Sequence, residues 1–328
     1  MRIKLFFARI TRKLSWRFHT NPMYYARRVW EKMRTCVVGF TYYPDPTVEI
    51  INKVCIRVVG LSRSGNHAII NWISSQTQGR CIFFNNVRAD ESPFQNYIHA
   101  ATCHQEHWRL QELKTHNPDY DGKEGLELLK EEAKGNFLKK DFLMVSFEDC
   151  SLKKIARKNF VRAHDRFMGK SEAKFEILIL RDPFNLFASR IRFESSRKRQ
   201  LSRLDPKDAS KLWIQYAIEF LGETNYLGDR KLCINYNRWV VDSEYRASIA
   251  RQLDIKNTDA GINNVPKFGG GSSFDGIEAH GQASKMDVFG RWKSYVDDPY
   301  FRSIMSDKQL IKYSERIFGH IPGTELLL

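Results

Sequence analysis

Long apolar runs are missing from this sequence. Nowhere in its 328 residues is there a stretch near the ~18 apolar side chains that a bilayer span requires, and no secretory signal opens the chain. That argues against a spanning helix and, with it, against an enzyme of the membrane-anchored Golgi type. Six cysteines (Cys36, Cys55, Cys81, Cys103, Cys150 and Cys233) occur without CxxC or Cys/His ligand spacing. A zinc site is therefore not expected. Buried free thiols in a reducing, cytoplasmic setting are. Acid is scarce at the amino terminus. Residues 1–35 hold ten Lys/Arg against Glu31 alone, or +9 of the chain's formal +15.

What is present supports a folded enzyme-sized body. A hydrophobic fraction of 42% can build a sizeable core, as one large α/β domain or two small ones. We read residues 1–50 as a basic amphipathic extension and linker, and 51–328 as the main domain. In the extension Leu5, Phe6, Phe7, Ile10, Leu14, Trp16 and Phe18 are interleaved with the cations. That pattern fits a peripheral contact with an anionic membrane through residues 1–35. It fits equally a solvated helix packed on the domain, or a cleaved targeting peptide. Phe40 to Thr47 reads as the linker.

The chain is organised around Val54 to Ile73. Val54 to Val59 is a β-branched, apolar strand interrupted only by Arg57. Gly60 to Gly65 forms a tight loop, and a helix follows with Ala68, Ile69, Trp72 and Ile73 on one stripe. Such a loop aims backbone N–H groups at one spot, at the positive end of a helix dipole, and makes an anion site. Gly60 and Gly65 supply the backbone angles and close approach. The spacing is GxxxxG, but Asn66 and His67 stand where a nucleotide-hydrolysing P-loop carries Lys and Ser/Thr. The loop therefore suits a phosphate without a metal-bound triphosphate tail.

Further strands are expected at Arg80 to Val87, Asp141 to Phe147, Phe175 to Leu180 and Lys231 to Tyr236, and helices at Leu152 to Phe167, Lys211 to Leu221 and Lys308 to Phe318. Glu148 and Asp149 close the third strand, where α/β proteins bind ligands. Asp149 reads as the cap of the following helix, and Glu148 is kept as a base. His99, His104, His107 and His116 match no ligand spacing and read as solvated loop residues. The polar stretch Arg88 to Asn136 is where substrate specificity is expected to reside. The basic run Arg190 to Arg203 reads as a solvated face, with a rim for an anionic ligand as its functional version. Gly269 to Gly276 reads as a flexible loop or linker.

Arg63-Ser64-Gly65-Asn66-His67 resembles the 5′-phosphosulfate loop of the sulfotransferases that use 3′-phosphoadenosine-5′-phosphosulfate (PAPS). A second motif agrees with it. Arg181 leaves a strand end and Ser189 follows eight residues later, like the pair that binds the cofactor's 3′-phosphate in that family. Tyr236 matches a tyrosine that contacts the adenine. Lys285 with Gly290-Arg291-Trp292-Lys293 resembles the segment closing over the 3′-phosphate, although the Arg-Lys-Gly signature of the cytosolic branch is absent. The resemblance runs from about Val54 to Phe318.

The resemblance implies a three-layer α/β fold, a parallel sheet flanked by helices in the P-loop nucleotide-kinase manner. It also implies sulfuryl transfer from PAPS, with 3′,5′-adenosine bisphosphate as product and no metal. The implied cofactor contacts are Gly60, Arg63, Ser64, Gly65, Asn66, His67, Arg181, Ser189, Tyr236, Lys285, Gly290 and Arg291. Arg63 is the candidate cation for the bridging oxygen. The glycan-modifying branch places a Glu where this chain has Asn71, so the base falls to Glu148, with His67 next. The expected acceptor is a hydroxyl or amine on a carbohydrate or small molecule, with no nucleic acid as partner. Two other readings stand beside it: a P-loop small-molecule or nucleoside kinase, and a non-enzymatic basic protein that binds nucleic acid or a membrane surface.

Overall fold

The computed structural model describes residues 22–42, 47–77, 79–102, 120–197, 206–265 and 271–327. Residues 1–21, Cys103, His104, His107, His116, the run 198–205 and Gly269–Gly270 lie outside the described residues, so the expectations resting on them do too.

Five strands form one parallel sheet: β1 (Ile50–Gly60), β2 (Cys81–Phe84), β3 (Lys140–Glu148), β4 (Lys170–Leu180) and β5 (Lys231–Asn235), in the order β2-β3-β1-β4-β5. Both faces of the central strands are covered, as their apolar runs require. Val59, Val145, Phe147 and Leu180 belong to one core. Val58, Met144, Ile177 and Ile179 belong to a second core on the opposite face. The architecture is thus three-layered α/β.

Arg57, the polar interruption of β1, sits opposite Glu176 of β4 in register. Its Nη1 donates to Glu176 Oε1 at 2.6 Å, Nη2 donates to Ile155 O at 3.1 Å, and the guanidinium lies 5.1 Å from the Phe147 ring centroid. A charge buried in a strand is tolerable only when paired in this way.

Helix α1 (Pro22–Thr41) precedes the sheet. Helix α2 (Asn66–Ser75) follows β1, and α3 (Pro93–Thr102) and α4 (Gly122–Lys134) lie between β2 and β3. A single helix expected over 152–167 is two, α5 (Leu152–Ile155) and α6 (Lys158–Met168). The chain turns at Ala156 and Arg157, and the latter is extended as the N-cap of α6. Helix α7 (Pro183–Arg197) leaves β4, α8 (Pro206–Phe220) precedes β5, and α9 (Tyr236–Val241) and α10 (Ser243–Gln252) follow it. Tyr236 therefore opens a helix rather than ending a strand, because the Asn235 side chain accepts from Arg238 N and caps it. Helices α11 (Pro299–Met305) and α12 (Lys308–Phe318) close the fold.

Helix α1 extends to Thr41, into the stretch read as linker, and packs on α6. A Cβ on Gly39 would stand 1.8 Å from Asn159 O, so only glycine admits this approach. Residues 22–35 of the extension are helical and packed on the domain; the amphipathic run Leu5 to Phe18 lies outside the described residues.

Candidate active site

The ends of β1, β3 and β4 are level. Gly60 is opposite Glu148 on one side and Ile179 on the other, so the β1–α2 loop, Glu148 and Arg181 emerge on one rim. The chain leaves β1 toward β2 and β3, then crosses to β4 on the other side. This rim is therefore the crevice where open α/β sheets bind ligands.

The two loop glycines serve different needs. Gly65 has φ 87°, and a Cβ there would meet the Tyr236 ring at 2.0 Å. Gly60 is not left-handed; its missing Cβ leaves room for Asn66 Oδ1, which would otherwise lie at 2.2 Å. The second left-handed residue in the loop is Arg63, at φ 74°. An arginine there costs roughly 1–2 kcal/mol, held by the surrounding contacts. Its Nη2 donates to Gly271 O at 2.8 Å, its guanidinium lies 4.7 Å from the Phe193 centroid, and its carbonyl accepts from Arg181 Nη1 at 3.3 Å. No side chain caps the N-terminus of α2. Ser64 is buried, and its Oγ makes no hydrogen bond among the described residues. A loop with an uncapped helix start and an orphaned buried hydroxyl is suited to an anion.

Beside the loop, two buried guanidiniums share one hydroxyl. Ser189 Oγ accepts from Arg181 Nη1 at 3.4 Å and from Arg291 Nη1 at 3.0 Å. Arg181 also donates to Val288 O at 2.6 Å and lies 5.1 Å from the Tyr236 centroid. Among the described residues it has no carboxylate within ion-pair reach, and its buried Nε is without a partner. Arg291 donates to Ser272 Oγ at 2.9 Å, and its nearest carboxylate oxygen is Asp275 Oδ2 at 3.5 Å. Burial, with Arg181 adding to it, lowers the Arg291 pKa to about 10. Two positive charges with so little compensation form a site that calls for an anion.

Of the segment read as a flexible loop or linker, residues 271–276 are part of this site. Ser272 and Gly276 bridge, Gly271 O holds Arg63, and Ser272 and Asp275 hold Arg291. Gly290 starts the turn carrying Arg291, its N–H donating to Asp287 Oδ1 at 2.6 Å. Lys285 is not brought in. It is exposed on a separate short turn, and its side chain makes no hydrogen bond or ion pair with the cluster.

On the β3 side, Glu148 Oε1 accepts from Asn66 Nδ2 at 3.0 Å and lies 3.9 Å from His67 Nε2. Burial raises the Glu148 pKa above the usual carboxylate value, against the lowering effect of the Asn66 hydrogen bond. His67 is half-buried, edge-on to Phe83 at 6.1 Å. Asn71 is turned toward Gly261 O at 3.4 Å.

Two expectations are corrected here. Asp149 does not cap the next helix: it is left-handed at φ 50°, Ser151 takes the N-cap position, and its Oδ1 accepts from Ser62 N and Arg190 Nη1. Arg190 is not solvated; it is buried, 2.8 Å from Asp149 and 3.3 Å from Ser62 O. Together they brace the loop from behind. Both expectations followed local sequence, whereas the partners are 87 and 41 residues away.

A cavity of about 300 Å³ opens beside the loop, lined by Arg63, Asn86, Arg88, Glu148, Lys154 and Phe193 among others. Sequence reading did not single out Asn86 or Lys154; the polar residues after β2 were the available signal for Asn86, and Arg88 falls in the stretch expected to carry specificity.

No family model matches this chain, and no curated protein does. Solved structures similar to it include two sulfotransferases. One is the sulfotransferase domain from the curacin biosynthetic pathway, 14% identical over 81% of this chain and 98% of that one, with a TM-score of 0.41. The other is the mouse sulfotransferase SULT7A1 complexed with PAP, 11% identical over 87% and 90%, with a TM-score of 0.42.

Proposed function

We propose that this protein transfers a sulfuryl group from PAPS to a hydroxyl or amine of a polar acceptor. The observation that carries the reading is the meeting of Arg181 and Arg291 on Ser189 Oγ, next to an uncapped, strained loop. It supplies two anion sites at neighbouring positions on one rim, as a 3′,5′-bisphosphorylated nucleotide requires. The loop backbone from Ser64 to His67 would hold the 5′-phosphosulfate, and Arg181, Ser189 and Arg291 the 3′-phosphate. Tyr236 is buried among Gly65, Arg181 and Trp239, so its ring backs the loop and the arginine rather than lying open to a base.

Bound there, PAPS supplies the sulfuryl group and leaves as 3′,5′-adenosine bisphosphate. The residues do the rest by positioning and charge. Arg63, tethered to Gly271 and Phe193, is the cation for the charge developing on the leaving oxygen. Glu148 takes the acceptor's proton. Asn66 orients its carboxylate, and burial holds its pKa toward the working range of a base.

The cavity contributes to the acceptor class. Small-molecule sites are mostly lined by apolar and aromatic groups. This one is lined largely by charged and amide side chains of both signs, with Val87 and Phe193 as the large apolar groups. A sugar or another polyhydroxylated molecule matches such walls better than a steroid or phenol.

The test is transfer of label from [³⁵S]PAPS to a panel of methyl glycosides, amino sugars and phenols, with Mg²⁺–ATP turnover assayed in parallel. Label on a sugar, lost in Arg63→Ala, supports the reading. Label on phenols alone overturns the acceptor class, and turnover of Mg²⁺–ATP overturns the donor.

A further inference from the structure

We propose that the outward face of α1 docks this protein on an anionic membrane surface. The helix is held to the domain by its inner face. Thr35 and Gly39 are buried, Arg28 Nε lies 3.4 Å from Glu91 Oε1, and Lys32 Nζ lies 3.3 Å from Asp90 Oδ2. The opposite face is therefore presented in a fixed direction. That face carries Trp30, Val37 and Phe40, which are 63%, 60% and 70% exposed, the largest solvent-facing apolar group on any described helix. Spacings of seven and three residues place them on one stripe. Side chains of this kind in a row on a well-packed helix mark an interaction surface.

Charge identifies the occupant. Residues 1–21, which lead directly into the helix, contain six Lys/Arg and no acid. On the helix itself Arg27 borders the stripe, while Arg34 is turned back over the Phe167 ring at 5.0 Å and engages the helix's one acid, Glu31, at 3.6 Å. A second copy of this chain would bring two such basic arms together and is disfavoured by repulsion. A bilayer with anionic lipid complements the charge, and its interface accepts the indole and phenyl rings. The inner face of the same helix reaches Asp90 and Glu91, which also pair with Lys154 and Arg88 of the cavity wall. Docking would thus fix the cavity relative to the surface.

The experiment is flotation of the full-length protein with vesicles of phosphatidylcholine plus phosphatidylserine, and of phosphatidylcholine alone, with sedimentation velocity in the absence of lipid. The expected result is binding to the anionic vesicles that is weakened by salt, reduced at least about tenfold in Trp30→Ser/Phe40→Ser, and kept in Trp30→Phe. Both changes are at exposed positions, and an unaltered thermal melt establishes that the variant is folded. Absence of vesicle binding, or equal binding by the double variant, overturns the proposal. So does a lipid-free dimer that the double variant abolishes, which would make the stripe a contact between copies.

Discussion

Ser189 is a neutral acceptor between two guanidiniums, and the repulsion on either side of it is what an incoming phosphate would relieve. Each guanidinium gives charge-assisted hydrogen bonds worth about 1.5–3 kcal/mol. Arg181→Ala or Arg291→Ala should therefore weaken binding of 3′,5′-adenosine bisphosphate about ten- to a hundredfold, as read by calorimetry. Unchanged affinity in either variant would remove that residue from the phosphate site. Glu148 makes a different prediction. Its carboxyl is held above the ordinary range and must be ionised to accept a proton. The rate should therefore fall on the acid side at a pH higher than an exposed glutamate would give. A pH–rate profile of Glu148→Gln should be low and without that limb, with bisphosphate affinity preserved. A wild-type limb in the variant would move the base to His67. Arg181 was legible from the chain because it stands at a strand end, and Ser189 and Arg291 through the spacing of the motifs they resemble. The roles of Asp149 and Arg190 were not, because each is defined by a partner that the fold alone brings near.

The β1–α2 loop is the element on which the site depends. Its glycine spacing was readable. The left-handed Arg63 was not, since nothing in the local sequence signals a tether to Gly271 across 208 residues. Gly65 offers the sharpest test at this scale. Gly65→Ala places a methyl in the Tyr236 ring and in a left-handed backbone position, at a cost of about 1–3 kcal/mol. Thermal unfolding should show a lowered Tm, and the losses from Gly65→Ala and Tyr236→Ala should sum to more than the loss in the double variant, where the steric component is gone and the backbone component remains. A Tm equal to wild type would mean that the loop has a different backbone.

Over the whole molecule, the strands' apolar runs announced a parallel α/β sheet, and all five strands were found longer or shorter by one to five residues at their ends. The order β2-β3-β1-β4-β5 could not be read, because periodicity says which residues are buried and not which strand lies beside which. Stability across pH is also a property of the whole. His164 is buried, accepts no ready charge, and has its pKa lowered to about 3, chiefly by desolvation and then by Arg57. From about 6.5 down to about 3, the unfolded chain binds a proton that the folded chain refuses. Stability should therefore fall as pH falls through that window, and Tm measured against pH should decline less steeply in His164→Gln. An identical slope would mean that other groups govern the acid limb.

The most direct measurement is a calorimetric titration of the purified protein with 3′,5′-adenosine bisphosphate, run beside Mg²⁺–ATP. Binding of the bisphosphate in the micromolar range, lost in the Arg181→Ala/Arg291→Ala double variant, with no binding of Mg²⁺–ATP, is the predicted result. Preference for Mg²⁺–ATP, or bisphosphate binding indifferent to the two arginines, would contradict it.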